Sequence, residues 1–314
     1  MTGYVFRRIL LAFPTLLVML TAIFVLVRLV PGDAASVILG DQASAASLSA
    51  LREKLGLDQP VHVQYFAFLG NILTGNLGQS LSSGQDVLHE VLQVLPSTIE
   101  LTVAAILIGL VLGLPLGIAA ALNRNGWIDY ASRVVSLVGL SFPAFVSGIL
   151  MLIVFAIQLG WFPVLGNAGG SGGLAERLRA LALPALNLGI IMTAYVMRVT
   201  RAAMLGVLTE DYIRTARAKG IGPRQVIVTH ALRNSLIPII TVVGLYFGTL
   251  IGNSVLTEII FNRPGLGKLI IGALNARDYT LLQGLMIIFA VCVIIVNTLT
   301  DLAYGLVDPR VKYS

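Results

Sequence analysis

Six stretches of the chain run without a formal charge, at 9–27, 101–123, the front of 134–175, 180–197, 234–257 and 279–300. Basic and polar residues crowd into the segments between them. A helix needs about 20 apolar residues to cross the ~30 Å hydrocarbon core of a bilayer. The pattern therefore predicts an all-α integral membrane protein of about six transmembrane helices. A β-barrel is excluded, because the runs are too long and lack period-2 alternation. The 180–197 stretch is the shortest and contains Pro184 and Asn187, which a span tolerates when neighbouring helices cover them. The third stretch is bounded by Gly160-Trp161 rather than by a charge. An interfacial aromatic suits that place.

The first run follows Arg7 and Arg8 and resembles a signal peptide. Its 19 uncharged residues exceed the ~7–15 of a cleavable apolar region, and no small-x-small cleavage site follows. It reads as a retained span. Six spans place both termini on one side. With the termini inside, the inner connections and tails hold thirteen Lys and Arg against seven on the outer side. The positive-inside bias thus predicts both termini cytoplasmic, and the basic loop 198–235 decides it. Residues 1–94 are expected to form the first span and an external loop. Residues 95–305 form the transmembrane core, and 306–314 a cytoplasmic tail. The outer loop opens with Pro31-Gly32-Asp33 and is broken again at Gly75-Asn76-Leu77-Gly78. It holds too few apolar anchors for a core of its own, so it is expected to pack over the outer mouth of the bundle.

Composition agrees: 57% of residues are hydrophobic and 11% charged, with mean hydropathy +0.90. A soluble domain carries roughly 25% charged residues, so water would meet large apolar patches. The net charge of +6 reads as membrane topology, and no nucleic-acid partner is expected. Cys292 is the single cysteine, and His62, His89 and His230 form no ligand spacing. No metal site or disulfide framework is expected. Gly267-Lys268 lacks a glycine at 262 and is followed by Leu269, so no phosphate-binding loop is present. Arg28, Glu100, Glu258 and Asp301 lie near span ends, where they are expected to reach headgroups or water in structural roles. The absence of a mid-span charge weighs against the alternative, an ion-coupled secondary transporter. Serines without a nearby histidine give no nucleophile and base for a membrane protease or transferase. Gly109, Gly113 and Gly117 on the second span, and Gly244, Gly248 and Gly252 on the fifth, form small-xxx-small ridges suited to close helix contact.

The 198–235 loop is long enough for two short helices. The first is expected to begin at Thr209, with Glu210 and Asp211 in its first turn, and to stop near Gly220-Ile221-Gly222-Pro223. Tyr212, Ile213, Ala216 and Gly220 then share one face. Ala216 and Gly220 are small enough to let a partner approach it, with Arg214 and Arg217 alongside. Composition alone would equally suit an amphipathic helix resting on lipid.

The residue order is more informative. Glu210-Asp211-Tyr212-Ile213-Arg214-Thr215-Ala216-Arg217-Ala218-Lys219-Gly220 resembles the coupling segment of ABC importer permeases, with Arg214-Thr215-Ala216 where that family has Glu-Ala-Ala. Leu55-Gly56-Leu57-Asp58-Gln59-Pro60, Gly75-Asn76-Leu77-Gly78-Gln79-Ser80 and Asp308-Pro309-Arg310 resemble the dipeptide/oligopeptide/nickel branch. So does the outer-loop motif Phe261-Asn262-Arg263-Pro264-Gly265-Leu266-Gly267 with Arg277-Asp278-Tyr279. The resemblance implies a type I ABC importer transmembrane domain in a bacterial inner membrane. It implies that two ATPase subunits, holding ATP and Mg, dock on the 209–222 helix. It also implies a second homologous permease chain and an external substrate-binding protein that sets specificity. This chain would bind no cofactor and would be a transport subunit, with uptake of small peptides or related solutes as its task.

Overall fold

The computed structural model describes residues 2–29, 44–54, 56–164 and 173–307. The expected turn at Pro31-Gly32-Asp33 and the Asp308-Pro309-Arg310 ending lie outside them. The described residues form helices joined by turns and loops, with an isolated antiparallel bridge between Gln79 and Asp86. Five helices are long and apolar enough to cross a bilayer. They are α1 (Thr2–Leu29), α4 (Val87–Leu122), α7 (Leu174–Leu208), α9 (Pro223–Ile260) and α11 (Tyr279–Val307). Shorter helices are α2 (Ala45–Lys54), α3 (Val61–Leu73), α8 (Asp211–Ala218) and α10 (Leu266–Asn275).

The sixth expected span departs from a simple helix. It is a pair, α5 (Trp127–Ser141) and α6 (Ala144–Gln158), bent by 97°. Pro143 is the physical reason. It offers no N–H to the carbonyl of Gly139, and its ring drives Phe142 into extended backbone (φ −85°, ψ 126°). Hydropathy does not register this break, because the residues on both sides are apolar. Asn187 of α7, 1% exposed, braces it. Its Nδ2 donates to the Ala144 carbonyl at 2.9 Å, and Ser147 Oγ bonds its Oδ1 at 2.6 Å. A lone polar residue in the weakest apolar run is thus the pin of a broken helix.

The bundle centres on α4 against α7. Gly109, Gly113 and Gly117 form the contact stripe. A Cβ on Gly113 would lie 2.7 Å from Val196 Cβ, and one on Gly117 would lie 2.7 Å from the Met197 carbonyl oxygen. The second-span ridge therefore serves packing within the chain. Leu101, Ala105, Leu188, Met192 and Val196 fill the surrounding core. On α9, Gly244 abuts Thr300 of α11, whereas Gly252 meets nothing within 4 Å. A satellite layer forms where α3 packs on α1: the Phe24 ring contacts Tyr65 at 5.1 Å and Phe68 at 5.3 Å. Arg28 bonds Gln64 at 2.7 Å while lying 3.5 Å above the Phe24 ring. Arg8 meets Asp301 at 2.8 Å, which brings the start of α1 and the last turns of α11 to the same end of the bundle. The end that carries the basic 198–235 segment, expected on the cytoplasmic side from the charge count, is called the inner end below.

Candidate functional site

Two constellations stand at opposite ends of the bundle. At the inner end, α8 is a two-turn helix, too short to hold itself together in water. Glu210 is its N-cap residue in extended backbone, and Asp211 lies in the first turn, where a carboxylate suits the helix dipole. Thr215 Oγ1 returns to the Asp211 carbonyl at 3.0 Å. Gly220 ends the helix with φ +77°. The Ile221 N–H reaches the Ala216 carbonyl at 3.2 Å, and the Gly220 N–H reaches that of Arg217 at 3.0 Å. That bond pair, closed by a glycine in the left-handed region, is a Schellman stop.

What holds α8 in place is burial of one side. Ile213 and Ala216 are 0% and 6% exposed. They sit in an apolar cluster with Ala121 of α4, Met204 of α7, and Val226 and Ala231 of α9. Tyr212 Oη accepts a hydrogen bond from Asn234 Nδ2 at 2.8 Å. This corrects the expected face. Ala216 turns into the bundle, so its small size lets α8 sit close to its own chain rather than to a partner, and a bulky residue there would disturb the fold first. The open face comprises Glu210, Asp211, Tyr212, Arg214, Thr215, Arg217, Ala218, Lys219 and Gly220. Arg214 and Asp211 approach to 3.5 Å in an exposed pair that contributes little to stability.

A buried carboxylate next to this site escaped the reading of the sequence. Asp129, 0% exposed on α5, is gripped by Nε and Nη2 of Arg201 from α7. It also accepts from Arg133 Nη2 at 3.0 Å and the Asn125 N–H at 2.9 Å. A charge buried with that many donors clamps the inner ends of two helices. The available signal was one acid among the basic residues of an inner connection.

At the outer end, Glu258 corrects the expectation that it reaches water, because it is 0% exposed. Its Oε2 accepts from the N–H groups of Gly267 at 2.8 Å and Lys268 at 3.2 Å. Its Oε1 accepts from Thr98 at 2.6 Å and Ser254 at 3.2 Å. The carboxylate of α9 thus caps the N-terminus of α10, where free amides and the helix dipole favour negative charge. The glycines are needed for closeness. A Cβ on Gly265 would run into the Glu258 carboxylate, and one on Gly267 into the backbone of Val255. Pro264 is half-buried beside them.

Asp278, 1% exposed, is the second outer clamp. One oxygen accepts from Ser80 Oγ at 2.6 Å, Ser82 Oγ at 2.9 Å and the Ser82 N–H at 3.0 Å. The other takes the Leu281 N–H at 2.9 Å. Burial pushes this carboxyl up, and the bonds from Ser80, Leu281, Ser82 and Leu81 outweigh it, holding the group below its ordinary value. Tyr279 follows as the first residue of α11. The outer-loop motif therefore locks the first loop to the entry of α11. Arg263, 1% exposed, completes this end through Glu100 at 2.6 Å, and Glu100 also meets Arg177 at 3.1 Å. Among the described residues no group of three or more His, Cys, Asp or Glu is placed to hold a metal.

Comparison with known proteins shows the family. Residues 113–313 match the family described as binding-protein-dependent transport system inner membrane component, and residues 1–102 match its N-terminal companion. The chain is 41% identical to the di/tripeptide transport system permease protein DppB of Pseudomonas aeruginosa (strain UCBPP-PA14), covering 100% of this chain and 99% of that one. It is 40% identical to the dipeptide transport system permease protein DppB of Alkalihalophilus pseudofirmus, with 100% of both chains covered. It is 38% identical to the glutathione transport system permease protein GsiC of Salmonella choleraesuis, again over 100% of both. A solved structure of the MetNI methionine ABC transporter, in an inward-facing conformation, superposes with a TM-score of 0.57. That match covers 69% of this chain and 95% of the other at 19% identity, a likeness of fold alone. By sequence over its whole length, and by fold over its core, the chain belongs to the binding-protein-dependent inner-membrane family and is a multi-pass permease subunit of a bacterial ABC importer.

Proposed function

We propose that this chain forms half of a translocation pathway for small peptides or related solutes and receives the power stroke of ATPase subunits through α8. The observation that carries the reading is the seating of α8. Two side chains bury it against the inner ends of α4, α7 and α9, and its remaining residues stand open. A short helix fixed to the long spans on one side and open on the other transmits displacement as a rigid lever. ATP drives the cycle only if the ATPases prefer one conformation of the permease over the other, and α8 is where that preference is felt.

Two ATPase subunits, carrying ATP and Mg, dock on Glu210, Asp211, Tyr212, Arg214, Thr215, Arg217, Ala218, Lys219 and Gly220. A second homologous permease chain completes the pathway, and an external binding protein delivers cargo near the clamp of Pro264, Gly265, Gly267, Asp278 and Tyr279. Both termini and α8 lie in the cytoplasm. The peptide class rests on the full-length similarity to permeases named for dipeptides, di/tripeptides and glutathione.

The test is uptake of a labelled dipeptide by liposomes holding the assembled complex. Uptake should require ATP and binding protein and persist with a protonophore. Uptake that proceeds without ATP and collapses with the protonophore would instead identify an ion-coupled transporter. Charge reversal on the open face, Arg217→Glu with Lys219→Glu, should abolish copurification of the ATPases and leave membrane insertion intact. Undiminished copurification would refute the docking role.

A further inference from the structure

A cavity of about 170 Å³ lies within the span region, where α5 breaks into α6 and the middles of α7 and α9 close around it. Its lining includes Phe142 and Pro143 at the break, Tyr195 of α7, and Tyr246, Thr249 and Asn253 of α9. None of its lining residues carries a formal charge. The rings of Tyr195 and Tyr246 pack against each other in a tilted pair, 3.7 Å between centroids and 37° from parallel.

Many hydroxyls in the spans are satisfied by their own helices. Thr102, Thr193, Thr241, Thr298 and Thr300 all return their hydroxyls to a carbonyl four residues back. Asn187 spends its amide on the helix break. Thr249 and the Asn253 amide make no side-chain hydrogen bond among the described residues, and both are at least partly exposed. A polar group at membrane depth without a partner is costly, and such groups normally mark a water-filled cavity or a ligand path.

We propose that this cavity is a transit site for one peptide unit of the cargo, with the Asn253 amide and Thr249 hydroxyl bonding the peptide's N–H and C=O. An asparagine side chain offers a donor and an acceptor together, matching one amide group. The tyrosine pair and Phe142 supply an aromatic wall for the apolar part of a residue. The volume is below the ~300–1,000 Å³ of a complete ligand pocket, so the site holds one residue of the cargo rather than all of it. It reads the backbone and is indifferent to side-chain identity. The inference rests on the proposed peptide-import function.

The experiment uses the complete complex in liposomes with tritiated alanyl-alanine. Asn253→Leu and Thr249→Val should each slow uptake, by roughly tenfold for Asn253→Leu, about the worth of one hydrogen bond. Binding-protein-stimulated ATP hydrolysis should stay within about twofold of wild type, which a general folding defect would not allow. If wild-type liposomes take up no dipeptide with ATP, the import reading itself fails. If wild type transports and both variants match it, the transit site is refuted while import stands. Asn253→Cys in a Cys292→Ser background gives a second readout should Asn253→Leu not assemble. Dipeptide during turnover should slow its modification by a water-soluble thiol reagent by about threefold or more. Equal rates with and without dipeptide would overturn the site.

Discussion

Replacing Ile213 by alanine should detach α8 from the bundle without unfolding the bundle. Ile213 and Ala216 are the two buried residues of α8, and Ile213 is the larger. An Ile-to-Ala change at a fully buried site costs about 2–5 kcal/mol. The lower part of that range, about 2–4 kcal/mol, applies where a short surface helix can settle into the gap. The rest of the seat is modest: Ala216, an exposed Tyr212–Asn234 hydrogen bond and the glycine stop. Opening of α8 should therefore become roughly 30- to 700-fold more frequent, taking 1.4 kcal/mol per factor of ten. Hydrogen exchange on the reconstituted complex reads this directly. Amides of 214–218 should lose protection by that factor, while those in the middle of α4 and α7 keep theirs. In the same liposomes ATP hydrolysis should persist while dipeptide moved per ATP falls, because the lever no longer pulls on the spans. Unchanged protection at 214–218 would refute the burial argument, and lost protection with unchanged transport per ATP would refute the lever.

Gly265→Ala places a methyl group against the Glu258 carboxylate. Displacing a buried charge from its four donors should destabilise the protein by roughly 3 kcal/mol or more, seen as a lower melting temperature in detergent, whereas Gly252→Ala should be neutral. Arg201→Ala leaves Asp129 buried with weaker compensation. It should melt lower than the double variant Arg201→Ala with Asp129→Asn, where the uncompensated charge is gone; the opposite order would count against the clamp. Asp278 sets a pH dependence. Its folded value is depressed, so its contribution is complete above the ordinary carboxyl range near pH ~4 and is lost as pH falls through the folded value. Asp278→Asn should therefore lower the melting temperature at pH 7, and the difference from wild type should shrink on acidification below pH ~4.

Long-range order in this protein is written in uncharged runs. Bilayer solvation demands about 20 apolar residues per crossing, so the places of α1, α4, α7, α9 and α11 follow from the chain alone. The start and stop of α8 were equally local, because Glu210, Asp211 and Gly220 act within one or two helical turns. Only the tertiary structure decided what those elements face. Periodicity grouped Ile213, Ala216 and Gly220 on one side of α8, yet it carries no information on whether that side meets the bundle or a partner. Packing assigned Ile213 and Ala216 to the bundle. Hydropathy likewise passed over the 97° break at Pro143, since a bend changes direction without changing polarity. The buried carboxylates were hidden for the same reason. Glu258 and Asp129 look like span-end charges in one dimension. Each is buried because donors from segments far away in the chain, Thr98 and Arg201 among them, converge on it. The residue types and their spacing determined which helices form and cross. Which side of each helix is spent on its own chain, and which is left open, depended on contacts that exist only once the spans are assembled.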